Sequence, residues 1–453
     1  MEVIFDTEVN HLGVLIGNHY KYKIIALSTA DVFIDKLLIP TFWKKNNESI
    51  DSGYQAHLYS SKNDILVLRV PTNENQVCEK VSIAIGQNFE IWRFMTGIYL
   101  SSSEDKIVLV SDLTPPNSAY FPQNISWFQG NMHNAVLSLL KQTKFSFLAF
   151  TFNSQVVNML SQYFPIGDEI KNIAKSVTTL MDKNSALKLF QKSTLKCPKT
   201  YFFDERSDFP FDLSSVHPSK LYVFKPAGGA AGIGLYNNNG LGANVKQIAE
   251  HIYELKGLHQ LPKRFQIQEF ISGNPYGASA IIKQNGEIEI LEIHKQIINQ
   301  HGKFVGGRWT SDLAAKQRES VKKMFENIVG ILPFNYAGLM CLDYINKKVI
   351  EVNPRITASA PISHILRLKD YFAKKNGPRY IIKQIDLNTG LDIRFEIIKH
   401  GKLRNIIDKI LEKHKVICLP QGLNPFGTSR MIFINDNREG TAQKEFIEAI
   451  KDS

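Results

Sequence analysis

Two apolar runs that meet at a polar turn constrain this chain most, AGLMCLDYI at 337–345 and VIEVNPRI at 349–356, with the turn at Asn346, Lys347 and Lys348. They predict a β-hairpin in which Asp343 and Glu351 lie on one face, and Asn353, two residues after Glu351, shares that face. Two carboxylates and an amide oxygen are hard ligands that suit Mg²⁺ completed by phosphate oxygens and water. An exposed edge hairpin with solvated acidic residues is the alternative. It is disfavoured because Glu351 lies inside the apolar run VIEV, where an unpaired carboxylate is costly.

The segment YVFKPAGGAAGIGLY at 222–236 predicts a strand that ends in Lys225 and continues into a loop of small residues. Backbone N–H groups of such a loop can approach a phosphate closely, and the lysine adds a positive charge. The segment is neither a Walker A loop, since no GK[ST] ends it, nor a Rossmann fingerprint, since a strand rather than a helix follows. A flexible hairpin turn is the alternative. The candidate phosphate-binding positions of the loop are Gly228, Gly229, Ala230, Ala231 and Gly232.

Arg355 follows Asn353 by two residues. Its forked guanidinium can therefore reach a transferring phosphoryl group or an acyl-phosphate oxygen near the hairpin. A surface salt bridge is the alternative role.

The segment EIHKQIINQHGKFVGGRWTSDL at 292–313 is also rich in polar side chains. Its candidates for binding a carboxylate or an acyl phosphate are His294, Lys295, His301 and Arg308. For both histidines, a solvated strand residue is the favoured interpretation. Arg308 is kept as a catalytic candidate because a guanidinium can bind a carboxylate through two hydrogen bonds.

The order of the apolar runs indicates several domains, as 453 residues are too many for one core. Residues 1–176 alternate short apolar runs with amphipathic segments, which predicts a parallel sheet covered by helices. From residue 221 onward, strands and glycine-containing turns predict antiparallel hairpins. The predicted strands of the first part are 23–28, 65–70, 106–111 and 146–150, and the predicted helices of the chain are 131–142, 154–164, 181–193, 244–256, 312–330, 402–414 and 441–450.

These motifs, in this order, resemble the ATP-grasp superfamily over roughly residues 177 to 370. The resemblance implies that Lys183 and Lys225 contact ATP, and that a hinge binds adenine through backbone groups of Glu269 and Ile271, with a polar side chain at Gln268 or Glu269 helping to fix the base. The implied hinge consists of Gln268, Glu269, Phe270 and Ile271. It also implies that Asp343, Glu351 and Asn353 hold Mg²⁺, or Mn²⁺ in its place, and that Arg355 acts on the phosphate side. The hairpin is shorter than is usual in the family, and segment 272–279 contains no obvious acidic residue for the ribose.

The resemblance implies an α/β and α+β multidomain fold with three parts. These are an N-terminal α/β pre-ATP-grasp domain at 1–176, an ATP-grasp domain at 177–370 and a small C-terminal α+β unit at 371–453. Within the second part, the ATP lid is expected at about 195–270 and the metal and substrate subdomain at about 271–370. The outer parts are similar to those of peptide ligases of the pheganomycin type.

The implied activity is an ADP-forming ligation of a carboxylate to an amine through an acyl phosphate, with an amino acid or peptide among the substrates. A carboxylase or carbamoyl-type ligase that uses bicarbonate, and a non-catalytic ATP-binding regulatory protein, are the alternatives. Dimers are common among relatives, so a homodimer is also allowed.

The formal net charge of +11 raises a further alternative, a nucleic-acid partner. The sequence contains no RNP-like strand, zinc knuckle or arginine-rich run, so solvated basic faces are favoured and no nucleic-acid partner is predicted. The four cysteines form no CxxC pair, which predicts ordinary buried thiols rather than a zinc site or a disulfide framework. No secretion signal and no membrane span are expected, which predicts a cytoplasmic protein without a membrane partner.

Overall fold

The structure is a computed structural model, and it describes the chain in separate ranges. They are 23–26, 65–70, 75–96, 106–116, 123–142, 146–149, 151, 153–204, 213–228, 234–299, 304–357, 359, 362, 366, 381–386, 395–423, 429–435 and 440–453.

The first part of the chain forms a parallel sheet covered on both faces, as predicted. Its strands are β1 (Lys23–Ala26), β2 (Ile65–Arg69), β3 (Lys106–Ser111), β4 (Ile125–Gln129) and β5 (Ser146–Ala149), in the order β4–β3–β2–β1–β5. Leu66 and Leu68 face a core that includes helix α1 (Val77–Thr96), whereas Ile65 and Val67 face helix α2 (Met132–Gln142). Sequence analysis missed α1 and β4. The buried positions of α1 nevertheless have helical spacing.

Three helices connect this sheet to the rest of the molecule, namely α3 (Ser154–Ser161), α4 (Asp168–Met181) and α5 (Lys183–Gln191). Asp182 separates α4 from α5, and its side chain accepts a hydrogen bond from the Ser185 N–H at 2.6 Å. An N-terminal cap of this kind satisfies a backbone donor that a helix leaves unpaired. Lys183 is therefore the first residue of a capped helix.

A small antiparallel sheet follows, with strand order β6–β8–β7. Its strands are β6 (Thr200–Phe203), β7 (Tyr222–Pro226) and β8 (Phe265–Glu269), and helix α6 (Val245–Gly257) packs on one face. Every residue of β7, including Lys225, is buried.

The third sheet is antiparallel and has eight strands among the described residues. Its members are β9 (Pro275–Ile282), β10 (Ile288–Ile298), β11 (Phe304–Thr310), β12 (Gly338–Ile345), β13 (Lys348–Asn353), β14 (Ile381–Asp386), β15 (Ile417–Gly422) and β16 (Arg430–Ile434). The order is β13–β12–β9–β10–β11–β14–β16–β15. Helix α7 (Ser311–Ile331) covers one face, where Met340 and Leu342 join its core, while Leu339 and Cys341 belong to the opposite face.

The C-terminal segment continues this third sheet. Strands β14, β16 and β15 extend it, and the segment adds helices α8 (Phe395–Lys399), α9 (Lys402–His414) and α10 (Thr441–Lys451). The core on this side also includes residues of α1. The α+β character predicted for 371–453 is thus present, but its strands share a sheet with the preceding part. The three domain boundaries stay a prediction.

Helix α1 is tied to the C-terminal strands by one buried hydrogen bond. The Trp92 indole N–H donates to the Pro420 carbonyl at 2.7 Å, and the Trp92 side chain is fully buried. This contact joins residues more than three hundred positions apart.

We expect Trp92→Phe to lower the free energy of unfolding by about 1–3 kcal/mol, because the Pro420 carbonyl loses its buried donor. Urea unfolding followed by circular dichroism measures the change. Trp127→Phe is the matched control, because the Trp127 Nε1 atom is buried without a hydrogen-bond partner among the described residues. An equal loss in both variants would contradict the importance of the Trp92–Pro420 bond.

None of the helices in the described ranges is long and apolar enough to cross a membrane. All four cysteines are free thiols. Cys78, Cys341 and Cys418 are buried as predicted, and Cys197 is half-buried.

Candidate active site

The turn of the predicted hairpin contains two residues, Asn346 and Lys347, with φ angles of 51° and 61°. Left-handed conformations at both central positions are typical of the two-residue turns that fit the twist of β-hairpins. Lys348, predicted to lie in the turn, begins β13 instead.

A β-bulge brings the two carboxylates of the hairpin opposite each other. Tyr344 pairs with Val349, and continuing this register would place Ile350 opposite Asp343. The register shifts between Asp343 and Tyr344, so that Asp343 pairs with Glu351. A bulge inserts one residue into one strand and re-aims the side chains beyond it. The predicted acidic pair therefore depends on this irregularity.

Three cations surround the Glu351 carboxylate. Burial raises the pKa of Glu351, but the positive charges of Lys183, Lys225 and Arg355 outweigh it and hold that pKa below its ordinary value. Lys183 Nζ lies 3.5 Å from Glu351 Oε1. Asp343 behaves differently, because burial and the neighbouring Glu351 charge raise its pKa to about 7. Two opposed, half-buried carboxylates are a place where a cation would relieve repulsion.

These oxygens fit a hard divalent cation with open coordination positions. The described residues contain no cluster of three His, Cys, Asp or Glu side chains, so the protein ligands here would be two carboxylates and the Asn353 amide. Mg²⁺ is commonly held by one or two carboxylates plus phosphate oxygens. The Asn353 Oδ1 atom accepts a hydrogen bond from Arg355 Nη2 at 2.8 Å, so Arg355 would share that oxygen with the cation.

Lys225 is buried at the end of β7. Its Nζ donates to Gln268 Oε1 at 2.8 Å. Burial lowers the pKa of Lys225, the Glu351 and Asp343 charges oppose this shift and the nearby Lys183 charge adds to it, so that the net pKa is about 8. Gly228 is buried just after the strand. The other predicted loop positions, Gly229, Ala230, Ala231 and Gly232, lie outside the described residues.

The predicted hinge is engaged in contacts with its own surroundings. The Glu269 side chain forms an ion pair with Lys220 at 2.6 Å, and Gln268 faces Lys225 rather than an open pocket. The backbone N–H of Glu269 donates to the Lys199 carbonyl, and that of Phe270 donates to the Leu221 carbonyl. Any adenine contact made by the backbone of these two residues therefore falls to their carbonyl groups. Ile271, half-buried, follows in the same segment.

Two sets of contacts fix the position of Lys183. Its backbone N–H donates to the Ala227 carbonyl at 2.9 Å, which links α5 to the residue that follows strand β7. The preceding Asp182 caps the helix and is paired with Arg264, whose Nε also donates to Asp204 at 3.0 Å. This network positions Lys183 beside Glu351.

We expect Asp182→Ala to cost about 1–2 kcal/mol of unfolding free energy from the lost cap, and to weaken Mg·ATP binding because Lys183 loses its fixed position. Isothermal titration calorimetry with Mg·ATP and urea unfolding measure the two effects. Asn244→Ala is the matched control, because Asn244 caps α6 through a capping box but adjoins no predicted nucleotide ligand. An unchanged affinity for Mg·ATP in Asp182→Ala would contradict the positioning role.

Arg308 is not brought together with the carboxylates. It pairs with Lys295 of β10 and Lys383 of β14. Gly307, next to it, lies against the ring of His294 on the opposite face of the sheet. Because side chains alternate along a strand, Arg308 belongs to the face that α7 covers. Its catalytic role stays a prediction without support from the geometry.

Two residues beside the site, Glu292 and Gln296, were missed from the sequence, and His294 was a disfavoured candidate. All three share a face of β10, and Gln296 donates to Asp343 Oδ1 at 2.6 Å. His294 is 1% exposed, so the interpretation as a solvated strand residue was wrong. Glu292 lies in the apolar run EILEI, and the argument applied to Glu351 would have found it. His301 lies outside the described residues.

The fold and the charged residues around Glu351 correspond to one class of protein. Residues 180–359 match the family model of the ATP-grasp domain, so the chain contains an ATP-grasp domain and the resemblance of its motifs is confirmed. No curated protein sequence matches the chain significantly.

Solved structures of this class match the chain over most of its length. The chain is similar to an L-amino acid ligase from Bacillus licheniformis, with a TM-score of 0.52 and 12% identity over 96% of this chain and 98% of that one. It is also similar to N5-carboxyaminoimidazole synthase from Aspergillus clavatus in complex with ADP and 5-aminoimidazole ribonucleotide. There the TM-score is 0.51 and the identity 10%, over 86% of this chain and 98% of that one.

A third similar structure is N5-carboxyaminoimidazole synthetase from Staphylococcus aureus complexed with ADP. Its TM-score is 0.50 at 12% identity, over 85% of this chain and 97% of that one. At such identities the likeness establishes the fold, which is the predicted multidomain ATP-grasp fold. The domain and the fold are those of ADP-forming carbon–nitrogen ligases, as predicted.

Proposed function

We propose that this protein is an ATP-dependent carboxylate–amine ligase. It transfers the γ-phosphoryl group of ATP to a carboxylate, and an amine then attacks the acyl phosphate, which yields an amide or peptide bond, ADP and phosphate. The observation that carries the proposal is the meeting of Lys183, Lys225 and Arg355 around Glu351, opposite Asp343. This arrangement suits the negative charge that accumulates on a transferring phosphoryl group.

Each group of residues at the site has a role that follows from its chemistry. Lys183 and Lys225 bind phosphate oxygens as point charges, and the Arg355 guanidinium stabilises the charge that develops on the transferring group. Asp343, Glu351 and Asn353 would hold Mg²⁺, or Mn²⁺, which when bound neutralises phosphate charge and orients the reacting oxygens. Segment 268–271 would bind adenine. The buried position of Lys225 keeps water away from its charge, which strengthens its attraction to phosphate.

An amino acid or a small peptide is the favoured substrate class. The similarity to a structure named as an L-amino acid ligase supports this choice, as does the C-terminal segment that resembles peptide ligases. A small-molecule carboxylate and amine are accordingly the proposed partners besides ATP. The absence of nucleic-acid and membrane partners, a cytoplasmic location and a homodimer stay predictions.

The test is release of ADP and phosphate from Mg·ATP by the purified protein. We would offer separate mixtures of L-amino acids, of small mono- and dicarboxylic acids, and of bicarbonate with amines. Stimulation by an amino-acid or carboxylic-acid mixture, together with a product whose mass equals that of the two substrates less one water, supports the proposal. Stimulation by bicarbonate alone favours a carboxylase, and Mg·ATP binding without stimulation favours a regulatory protein. If Mg·ATP does not bind, the proposal is wrong.

A further inference from the structure

A buried acid–histidine pair lies beside the candidate active site, on the middle strand β10. His294 Nδ1 lies 2.5 Å from Glu292 Oε2, and both side chains are almost completely buried. Glu292 Oε1 also accepts hydrogen bonds from Ser279 Oγ at 2.6 Å and from Ser359 Oγ at 3.5 Å. With two serine hydroxyls on the other oxygen, Nδ1–H of His294 is the donor that Oε2 of this buried carboxylate needs. Burial lowers the pKa of the His294 ring, but the adjacent Glu292 carboxylate outweighs it and raises that pKa, which favours a ring that donates from both nitrogens.

The other ring nitrogen of His294 lacks a partner. Its Nε2 atom is buried and has no hydrogen bond within the described residues. Buried polar atoms are nearly always hydrogen-bonded, and a buried donor without a partner destabilises the folded protein. A ligand with an acceptor oxygen would remove this cost.

The register of the sheet shows where such an oxygen would lie. Glu351, Asp343, Gly277 and His294 form one row across β13, β12, β9 and β10, each paired with the next. A Cβ atom on Gly277 would lie 2.4 Å from His294 Cε1 and 2.7 Å from Nε2. The Nε2 atom therefore lies close to the Cβ position of Gly277, the residue that pairs with Asp343, and 3.4 Å from the Cβ position of Gly307 on the other side.

A second glycine confirms that this ring position is built into the sheet. A Cβ atom on Gly307 of β11 would lie 2.7 Å from His294 Cδ2. Both neighbouring strands thus have glycine where the imidazole lies. Any larger residue at Gly277 or Gly307 would displace the His294 ring from this position.

Gln296 completes the surroundings of this place. Its Nε2 donates to Asp343 Oδ1 and would lie 3.1 Å from the same Gly277 Cβ atom. Two donor nitrogens, Gln296 Nε2 and His294 Nε2, thus lie over Gly277, the residue that pairs with Asp343. A small anion that contacts a cation bound to Asp343 would have the negative charge that these donors attract.

We infer that His294 is a substrate-binding residue that donates from Nε2 to an oxygen of the carboxylate that the enzyme activates. This inference rests on the proposed function. In the reaction, one carboxylate oxygen forms a bond to the γ-phosphorus of ATP, and the bond from that phosphorus to the β–γ bridging oxygen breaks. ADP leaves with the electron pair of that bond. His294 keeps its proton and holds the second carboxylate oxygen during the transfer.

Two substitutions test the roles of the two His294 ring nitrogens separately. His294→Asn keeps an amide near the position of Nδ1, facing Glu292, and removes Nε2. His294→Gln places an amide nitrogen near the position of Nε2. Ile297→Ala is the control, because Ile297 lies three residues further along β10, is exposed and lies on the opposite face.

We expect His294→Asn to raise the apparent KM for the stimulating amino-acid or carboxylic-acid mixture about ten- to a hundredfold, as the loss of a hydrogen bond to a charged group would. The Kd for Mg·ATP should stay within about twofold of the wild-type value, as for substitutions away from a binding site. His294→Gln should recover part of the KM. Steady-state ADP release and calorimetry with Mg·ATP measure these quantities.

The outcomes distinguish the two proposals. Wild-type protein that no carboxylate stimulates disproves the proposed function, and this inference with it. A stimulated wild type with an unchanged KM in His294→Asn disproves the inference alone, as does an equal loss of Mg·ATP affinity, which would assign His294 to the nucleotide.

If His294→Asn does not fold, the wild-type protein answers the same question. In the Mg·ADP complex labelled with ¹⁵N-histidine, the Nε2 signal missing from His294→Gln should shift when the stimulating mixture is added. A signal that stays unchanged under saturating mixture overturns the inference.

Discussion

Glu351→Gln should reduce Mg·ATP-dependent ADP release by at least about a hundredfold, the size of effect seen when a group that stabilises developing charge is removed. The substitution keeps the shape of the side chain and removes its charge. Glu351 faces Lys183, Lys225 and Arg355 and lies opposite Asp343, so the neutral amide leaves three cations without their shared anion and the metal without a carboxylate ligand. Initial rates over a range of Mg²⁺ concentrations measure the loss.

Glu289→Gln is the matched control for this experiment. Glu289 is an exposed glutamate on β10 of the same sheet, so this variant should keep the wild-type rate. Circular dichroism and urea unfolding show whether Glu351→Gln remains folded. A folded Glu351→Gln protein with wild-type turnover would remove the central observation on which the ligase proposal depends.

Lys225→Met should weaken Mg·ATP binding about ten- to a hundredfold, because a hydrogen bond to a charged group contributes about 1.5–3 kcal/mol. Methionine has a similar length and suits the buried position, so folding should persist. Gln268 Oε1 loses its donor, and Glu351 loses one of its three positive neighbours. Calorimetry with Mg·ATP, and with Mg·ADP in parallel, shows which phosphates Lys225 contacts.

Lys246→Met provides the comparison. Lys246 lies on α6 with a side chain that is 86% exposed, so its loss should leave the affinity for Mg·ATP unchanged. The same loss of affinity in both variants would indicate a general effect of net charge. A wild-type affinity in Lys225→Met would contradict the assignment of the strand lysine to the nucleotide.

The local elements of this protein could be read from its sequence because their signals are local. The helix predicted at 402–414 and the strand predicted at 106–111 coincide with those in the structure. Alternation along 337–356 was sufficient to place Glu351 and Asn353 on one face of a hairpin. The motifs also established the ATP-grasp class, since residue type and order carry that information without reference to contacts.

The exact pairing within the hairpin could not be read in this way. The spacing of Asp343 and Glu351 suggested a shared face, yet a two-residue turn alone would have paired Asp343 with Ile350. The β-bulge that corrects this register lies in the β12–β13 ladder of a sheet in which β12 also pairs with β9, more than sixty residues earlier. The spacing of residues along one hairpin shows neither the position of a bulge nor the strand that pairs on the other side of β12.

The same limit explains why His294 was wrongly taken as solvated and why the role of Arg308 stays a prediction. Both residues occupy strands with mixed polar and apolar residues, and no period in the sequence shows which face of β10 or β11 is covered by α7. The sequence by itself determined the class of fold, the hairpin and the identity of the charged groups around Glu351, because these follow from residue type and local alternation. Only the tertiary structure decided which of those groups meet, because burial and strand register arise from pairing between distant segments.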